Sequence, residues 1–484
     1  MPKTNGSSIS YSAGETTGRL SEQTIGACLA GVIRREPDAE ALVSRHQGIR
    51  LTYAQFGGEV ERVARSLLAL GIEKGDRVGI WAPNCAEWAY VQFAAGRVGA
   101  ILVNVNPAYR ANEMAYAVNQ SGVRLLITAP SFTASDYIDR IAEVRVDLSE
   151  LQRVVVIGDR RTGFQGDLIW DEFLSAGEPV PPEDVQAREA SLGCQDAINI
   201  QYTSGTTGNP KGATLTHHNI LNNAKMVAET LRYSAADRVC IPVPLYHCFG
   251  MGVGNLGCVV SGATMVYPAP SFEPLATLEA IAEERCTSIY GVPTMFIAQL
   301  EHPEFAKFDL TSLRTGIMAG APCPIETMKR VISDMHAREV CIAYGMTETS
   351  PVSFITRPSD SVERRVSTVG TVATDVEAKV VDTQTGETVP IGRPGEVCTR
   401  GYLVMRGYWK DPEATAEAVD TEGWMHTGDL GVLDEEGYLN IVGRSKDMVI
   451  RGGENIYPVE IEQVLFQHPA VASAQLIGVP DERM

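Results

Sequence analysis

Between Thr52 and Gly158 the apolar residues alternate between two periods. Phe56, Val60, Val63, Leu67 and Leu68 recur at helical spacing behind Thr52, a residue type that caps helix starts, and Gly71 ends the run. The pattern then predicts a strand at Arg77–Trp81, a helix near Ala86–Val98, a strand at Ile101–Val105 and a helix near Asn112–Gln120. Short strands fit Leu125–Thr128 and Val154–Ile157. Strands alternating with helices imply βαβ units and a mostly parallel sheet. Residues 160–195 read as an irregular connection, and a second α/β block runs from about Ala197 to Gly345. After about Val366 the pattern changes to short strands at Ala378–Val381, Thr388–Val389, Gly395–Thr399, Asp429–Leu433 and Tyr438–Val442, separated by turn residues. Past Gly443 it predicts a Gly-Gly hairpin, a helix near Val459–His468 and a strand near Ser473–Val479.

These periods suggest a flexible tail (1–24), a large α/β domain (25–445) and a short remainder (446–484), which the resemblance given below implies is a hinge with the start of a small α+β domain. Within the large domain, two stacked α/β subdomains (about 25–195 and 196–350) precede a β-barrel-like subdomain (351–443). The last 41 residues, those beyond Gly443, are too few to bury a core of their own, so a truncated C-terminal domain is expected.

Composition narrows the function classes. The 484 residues carry 41 Lys and Arg against 60 Asp and Glu, a net charge of −19, which argues against a general nucleic-acid binder. The ten cysteines show no CxxC pair and mostly sit beside apolar residues, as reduced thiols in a cytoplasmic protein do. Residues 1–20 lack the apolar run of a signal peptide. Val239 to Phe272 holds no charged residue but is punctuated by Pro242, Pro244, Pro268 and Pro270 and by five glycines. That punctuation predicts buried strand, loop and helix along an apolar pocket and no membrane span. Within it, Gly252-Val-Gly254-Asn-Leu-Gly257 matches GxGxxG, but no strand directly precedes it, so dinucleotide binding is disfavoured. Homo-oligomerisation is left open.

The strongest chemical signal is Tyr202-Thr-Ser-Gly-Thr-Thr-Gly-Asn-Pro-Lys-Gly212. Its glycines permit sharp turning, Thr203, Ser204, Thr206 and Thr207 supply hydroxyls, and successive backbone N–H groups with Lys211 suit an anion. GxxxxGK[ST] is not satisfied, and strand-like segments, Ile198–Tyr202 and Ala213–Leu215, flank the loop on both sides, so this is no Walker A loop. A phosphate-binding hairpin is expected.

Taken with Pro244-Leu-Tyr-His247, Ala319-Gly-Ala-Pro322, Tyr344-Gly-Met-Thr-Glu348, Thr427-Gly-Asp429 and Gly443-Arg-Ser-Lys-Asp447, this loop resembles the signature of the adenylate-forming acyl-CoA synthetase superfamily, over about residues 25 to 484. The closest flavour is the medium-chain fatty acyl-CoA ligase branch. The resemblance implies ATP, Mg²⁺ and coenzyme A as co-substrates and cofactor, and a fatty acid as the acid activated. It implies ATP contacts from Thr203, Ser204, Gly205, Thr206, Thr207, Gly208 and Lys211, from Gly320, Ala321 and Pro322, from Tyr344, Gly345, Met346 and Thr347, and from Asp429 and Arg444. Glu348 would hold the metal. His247, Met251, Gly252 and Gly291 would line the acyl group, Gly452 and Gly453 the coenzyme A tunnel, and Lys446 the hinge. Lys211, Thr347, Glu348 and His247 are the implied catalytic residues.

One departure stands out. The family's adenylation step uses a lysine near the end of its C-terminal domain, and no lysine follows Lys446. The resemblance therefore implies poor adenylation by the chain as given. An aryl-acid ligase, an adenylation domain serving a carrier thiol, and a catalytically silent ATP-binding protein are the alternatives.

Overall fold

The computed structural model describes residues 9–18, 20–203, 209–445, 449–451, 454–456, 458–466, 471 and 474–479. The chain forms two compact units, one of Leu20–Tyr290 with Met405–Thr415, the other of Met1–Arg19, Gly291–Val404 and Ala416–Met484. No helix among the described residues is long and apolar enough to cross a membrane.

The first unit is built on the predicted alternation. Helix Tyr53–Ala69 starts at Thr52, whose side chain accepts from the Gln55 amide while Gln55 reaches back to the Thr52 amide. It buries Phe56, Val60, Val63 and Leu67, the positions its period marks as apolar. An eight-stranded sheet runs in the order Leu168–Ile169, Arg153–Val156, Val123–Thr128, Arg77–Trp81, Ile101–Asn104, Ala197–Thr203, Lys211–Thr216, Gly407–Tyr408. Its first six strands are parallel neighbours and the last two pair antiparallel. Strand residues such as Val78, Ile80, Leu102, Val103, Leu126 and Ile127 are all but inaccessible, because a parallel sheet covered on both faces takes continuous apolar runs. Parallel strands Arg238–Cys240, Thr264–Tyr267 and Glu40–Ser44 form a further layer of this unit.

The uncharged stretch is buried as expected, with its middle wound as an i→i+5 helix over Phe249–Leu256 and continued as an α-helix, Gly257–Ser261. The GxGxxG glycines thus lie in helix and not on a strand-to-helix turn. Residues 160–195 differ from expectation. They carry the helices Trp170–Ala176 and Pro182–Ala190, the second with Pro182 at its start and Glu183 and Asp184 in its first turn.

The second unit contains the parallel pair Thr315–Ala319 and Glu339–Gly345, with Val352–Ile355 antiparallel to the latter. It also holds a five-stranded antiparallel sheet, ordered Tyr11–Ala13, Val376–Val381, Gly395–Gly401, Met425–Leu433, Leu439–Arg444. Tyr11–Ala13 corrects part of the expected flexible tail. These residues pair with Glu377–Lys379, and Tyr11 packs on Val381, Cys398 and Trp424 while its hydroxyl donates to Glu377. Thr388 makes only an isolated bridge to Val381, short of the predicted strand. The Gly-Gly hairpin has paired arms, Val449–Arg451 and Glu454–Ile456, and helix Pro458–Phe466 follows. Residues 474–479, where a strand was expected, have no regular structure.

Candidate active site

In the first unit the predicted phosphate loop closes a hairpin between two antiparallel strands, in which Thr203 faces Lys211 and Tyr202 faces Gly212. Ser204, Gly205, Thr206, Thr207 and Gly208 lie outside the described residues. The hairpin base is anchored on several sides. The Tyr202 hydroxyl reaches Gln120 Oε1 at 2.6 Å and the Ala117 carbonyl at 2.9 Å, and the Trp409 amide donates to the Gly212 carbonyl at 2.7 Å. Lys211 is half-buried, with Nζ 5.2 Å from the Tyr408 ring centroid.

Behind the hairpin runs a chain of buried amides. Asn199 donates to Asn104 Oδ1 (2.9 Å), and Gln201 donates to Asn199 Oδ1 (2.7 Å) and to Met251 Sδ (3.6 Å). From the other side Gln92 donates to the Met251 carbonyl (2.9 Å), Asn255 to Gln92 Oε1 (2.8 Å) and Tyr267 to Asn255 Oδ1 (2.7 Å). The hairpin and the Phe249–Leu256 helix are thereby held to one another by satisfied polar groups, which fix geometry more strictly than apolar packing does. Gln92, Asn104, Asn199, Gln201 and Asn255 escape sequence reasoning, since an isolated amide has no spacing signature. Their one signal is an amide amid apolar neighbours, as in Ile198-Asn-Ile-Gln201.

His247 opens the next segment. Its Nδ1 accepts the Phe249 amide at 3.2 Å, which leaves the proton on Nε2. Its carbonyl accepts the Met251 amide at 3.1 Å. Met251 and Gly252 are buried. A Cβ added to Gly252 would meet no atom within 4 Å, so this buried helix residue borders open space.

In the second unit, Gly291 is buried against Phe296, 2.9 Å from where its Cβ would stand. Gly320, Ala321 and Pro322 are exposed beyond the C-terminal end of the Thr315–Ala319 strand. The parallel neighbour ends at Tyr344 and Gly345, with Ala319 level with Ala343, so both motifs emerge side by side at the carboxyl ends of adjacent strands. Gly345 must be glycine, because a Cβ there would lie 1.8 Å from the Pro351 carbonyl oxygen. Met346 is half-buried, and Thr347 and Glu348, in a tight turn of helix, are 7% and 4% exposed.

Asp429 and Arg444 are cross-strand partners, and the Arg444 Nε lies 3.1 Å from Asp429 Oδ1. Tyr344 donates its hydroxyl to Asp429 Oδ2 at 2.7 Å. Three residues from three separate motifs thus meet. Burial raises the Asp429 carboxyl, against the lowering effects of the Tyr344 hydroxyl and the Arg444 guanidinium. Tyr344 is raised well above its ordinary value by burial and by the adjacent Asp429 charge, so it stays a donor. Lys446, Gly452 and Gly453 lie outside the described residues.

Within the second unit, the Asp429 carboxylate, the Tyr344 hydroxyl and the Arg444 guanidinium make a cluster of hydrogen-bonding groups at strand ends. A model of the AMP-binding enzyme family matches residues 29–409, and the chain belongs to that family. It is 47% identical over 481 residues to YngI of Bacillus subtilis (strain 168), covering 97% of this chain and 86% of that protein. It is 42% identical over 491 residues to the mitochondrial medium-chain acyl-CoA ligase of Rattus norvegicus, covering 98% of this chain and 80% of the relative. The fold matches the crystal structure of an anthranilate CoA ligase in complex with anthranoyl-AMP, with a TM-score of 0.85, 28% identity, and coverage of 96% of this chain and 85% of that one.

Proposed function

We propose that the protein is an AMP-forming acid–thiol ligase that activates a medium-chain fatty acid and passes it to coenzyme A. The acid's carboxylate attacks the α-phosphate of ATP, which expels pyrophosphate and leaves an acyl-adenylate. The coenzyme A thiolate then displaces AMP and forms the thioester. The first step is chiefly a matter of positioning and of neutralising phosphate charge.

In this reading the hairpin hydroxyls and Lys211 bind the phosphates, and Thr347 donates to the α-phosphate. Asp429, acceptor-only when ionised, takes the ribose hydroxyls and is held for that task by Tyr344 and Arg444. The buried Glu348 carboxylate beside the Thr347 hydroxyl is a hard-oxygen set that suits Mg²⁺ shared with phosphates. That ion, when bound, offsets phosphate charge. His247 sits beside the acid's carboxylate. None of the ten cysteines forms a disulfide, in keeping with a reducing compartment such as the cytoplasm.

The observation that carries the aliphatic assignment is the space beside Gly252, within a buried stretch that holds no charge to pair with an α-amino group. The test is acid-dependent ATP–pyrophosphate exchange, followed by acyl-CoA formation, across straight-chain, aryl and amino acids. Highest kcat/KM for medium straight chains is expected. Preference for amino acids would sink the reading, and preference for aryl acids would replace it with the aryl ligase.

A further inference from the structure

On the five-stranded sheet, one turn from Asp429, three metal-ligating side chains converge. Glu396 and Cys398 stand two apart on one strand, and His426 is the cross-strand partner of Cys398. The pairing is irregular between Glu396 and Cys398, a bulge of the kind that re-aims side chains, and His426 stands opposite Cys398 there. Nδ1 of His426 lies 3.0 Å from Glu396 Oε2 and 3.5 Å from Cys398 Sγ, and all three ligand atoms lie within 4.8 Å of one another. A tetrahedral Zn²⁺ bound at ordinary Zn–S, Zn–N and Zn–O lengths sets its ligand atoms about 3.4–3.6 Å apart. The two His426 spacings, 3.0 and 3.5 Å, lie within about half an ångström of those values.

We propose that Glu396, Cys398 and His426 form a site for a zinc-type divalent cation, with a fourth position open to water. The groups around the three are arranged as metal ligands require. The second oxygen of Glu396 accepts the Gly428 amide at 2.9 Å, which fixes the carboxylate. Nε2 of His426 lies 3.8 Å from Asp420 Oδ2, the carboxylate that would orient the imidazole while Nδ1 binds metal. Cys398 is fully buried against Val381 and Trp424, so a thiolate there is unhydrated and gains most from a cation. Entry is from the side of Glu396 and His426, which are both partly exposed. Binding replaces the thiol proton and the Nδ1 proton, and both go to solvent.

The test uses the chelator-treated full chain. Titration with Zn²⁺ against a chromophoric chelator should show one equivalent bound, and Co²⁺ should give a thiolate-to-metal charge-transfer band with tetrahedral d–d bands. Cys398→Ser should abolish the charge-transfer band, His426→Gln should weaken binding at least tenfold, and Asp420→Asn should weaken it about tenfold. X-ray absorption on the zinc-loaded unaltered chain needs no variant and should show one sulfur and one imidazole ligand. No stoichiometric binding, a band that survives Cys398→Ser, or a first shell without sulfur would overturn the proposal and leave a hydrogen-bonded His–Glu–Cys cluster.

Discussion

Replacing Asp429 with Asn separates binding from stability. The Asp429 side chain is 13% exposed, accepts the Tyr344 hydroxyl and pairs with Arg444, whose side chain is 71% exposed. An ion pair with so exposed an arginine contributes roughly 0–1 kcal/mol. The amide oxygen of Asn can still accept from Tyr344, and a buried neutral group escapes the desolvation that raises the Asp429 carboxyl. Loss and gain nearly cancel, so the melting temperature should move by less than about 4 °C. ATP affinity should change far more. Hydrogen bonds to a charged acceptor are worth about 1.5–3 kcal/mol, so losing the charge opposite the ribose hydroxyls should weaken ATP about ten- to a hundredfold. The pH dependence has a definite sign. A carboxyl raised in the folded state binds protons more tightly there, so its contribution falls as pH rises through the window just above the ordinary aspartate value. The variant lacks that slope, and its stability relative to the parent should therefore be greater at pH 7 than at pH 4. Calorimetry at both pH values and equilibrium ATP binding are the assays. Unchanged ATP affinity, or a melting temperature lowered by 10 °C or so, would refute the assignment of Asp429 to the ribose.

Lys211→Ala should weaken ATP binding at least tenfold while costing under about 1 kcal/mol of stability, the worth of its contact with Tyr408; intact nucleotide binding would exclude it from the phosphate site. His217, fully buried, accepts the Ile25 amide on Nδ1 and leaves Nε2 without a partner, and burial lowers its pKa to about 4. The unfolded state protonates first, so between pH 6.5 and 4 the parent should lose up to about 3 kcal/mol that His217→Asn retains, read from urea midpoints, and parallel curves would count against it. Gly252→Leu should shorten the preferred acid, each excluded methylene lowering kcat/KM about fourfold, with an unchanged chain-length profile as the contrary result.

Local signals carried much of the fold. Thr52 with Gln55, the apolar period behind them, and the strand–helix alternation to Gly158 needed no tertiary information. The helix Pro182–Ala190 was harder because only Val185 is buried, so no apolar period exists, although Pro182 followed by Glu183 and Asp184 is a start signal. Tyr11–Ala13 is a three-residue edge strand whose partner lies some 366 positions away, beyond any local pattern. For the site, contiguous motifs such as Tyr344–Glu348 were readable, whereas the meeting of Tyr344, Asp429 and Arg444 depends on register. The amides behind the phosphate hairpin and the Glu396–Cys398–His426 cluster share that limit. Register is a property of pairing and cannot be read from one strand.

The glycines of Phe249–Leu256 can be sorted by what each is for. Gly in a helix costs about 1 kcal/mol relative to Ala, so Gly250, Gly252 and Gly254 together forgo about 3 kcal/mol over eight residues. Hydrogen bonds from Gln92 and Gln201 to Met251, at about 1 kcal/mol each, offset part of that. Gly250 has a packing reason, since its Cβ would stand 2.3 Å from the Pro244 carbonyl oxygen. Gly254 has a weaker one, with the Ile241 side chain 3.2 Å away. Gly252 has none, because its Cβ would meet nothing within 4 Å. Selection for stability alone would have placed alanine there. A residue that is buried, helical and glycine without a protein neighbour to demand it is best explained by something the protein itself does not supply, which supports the acyl chain proposed for this uncharged stretch.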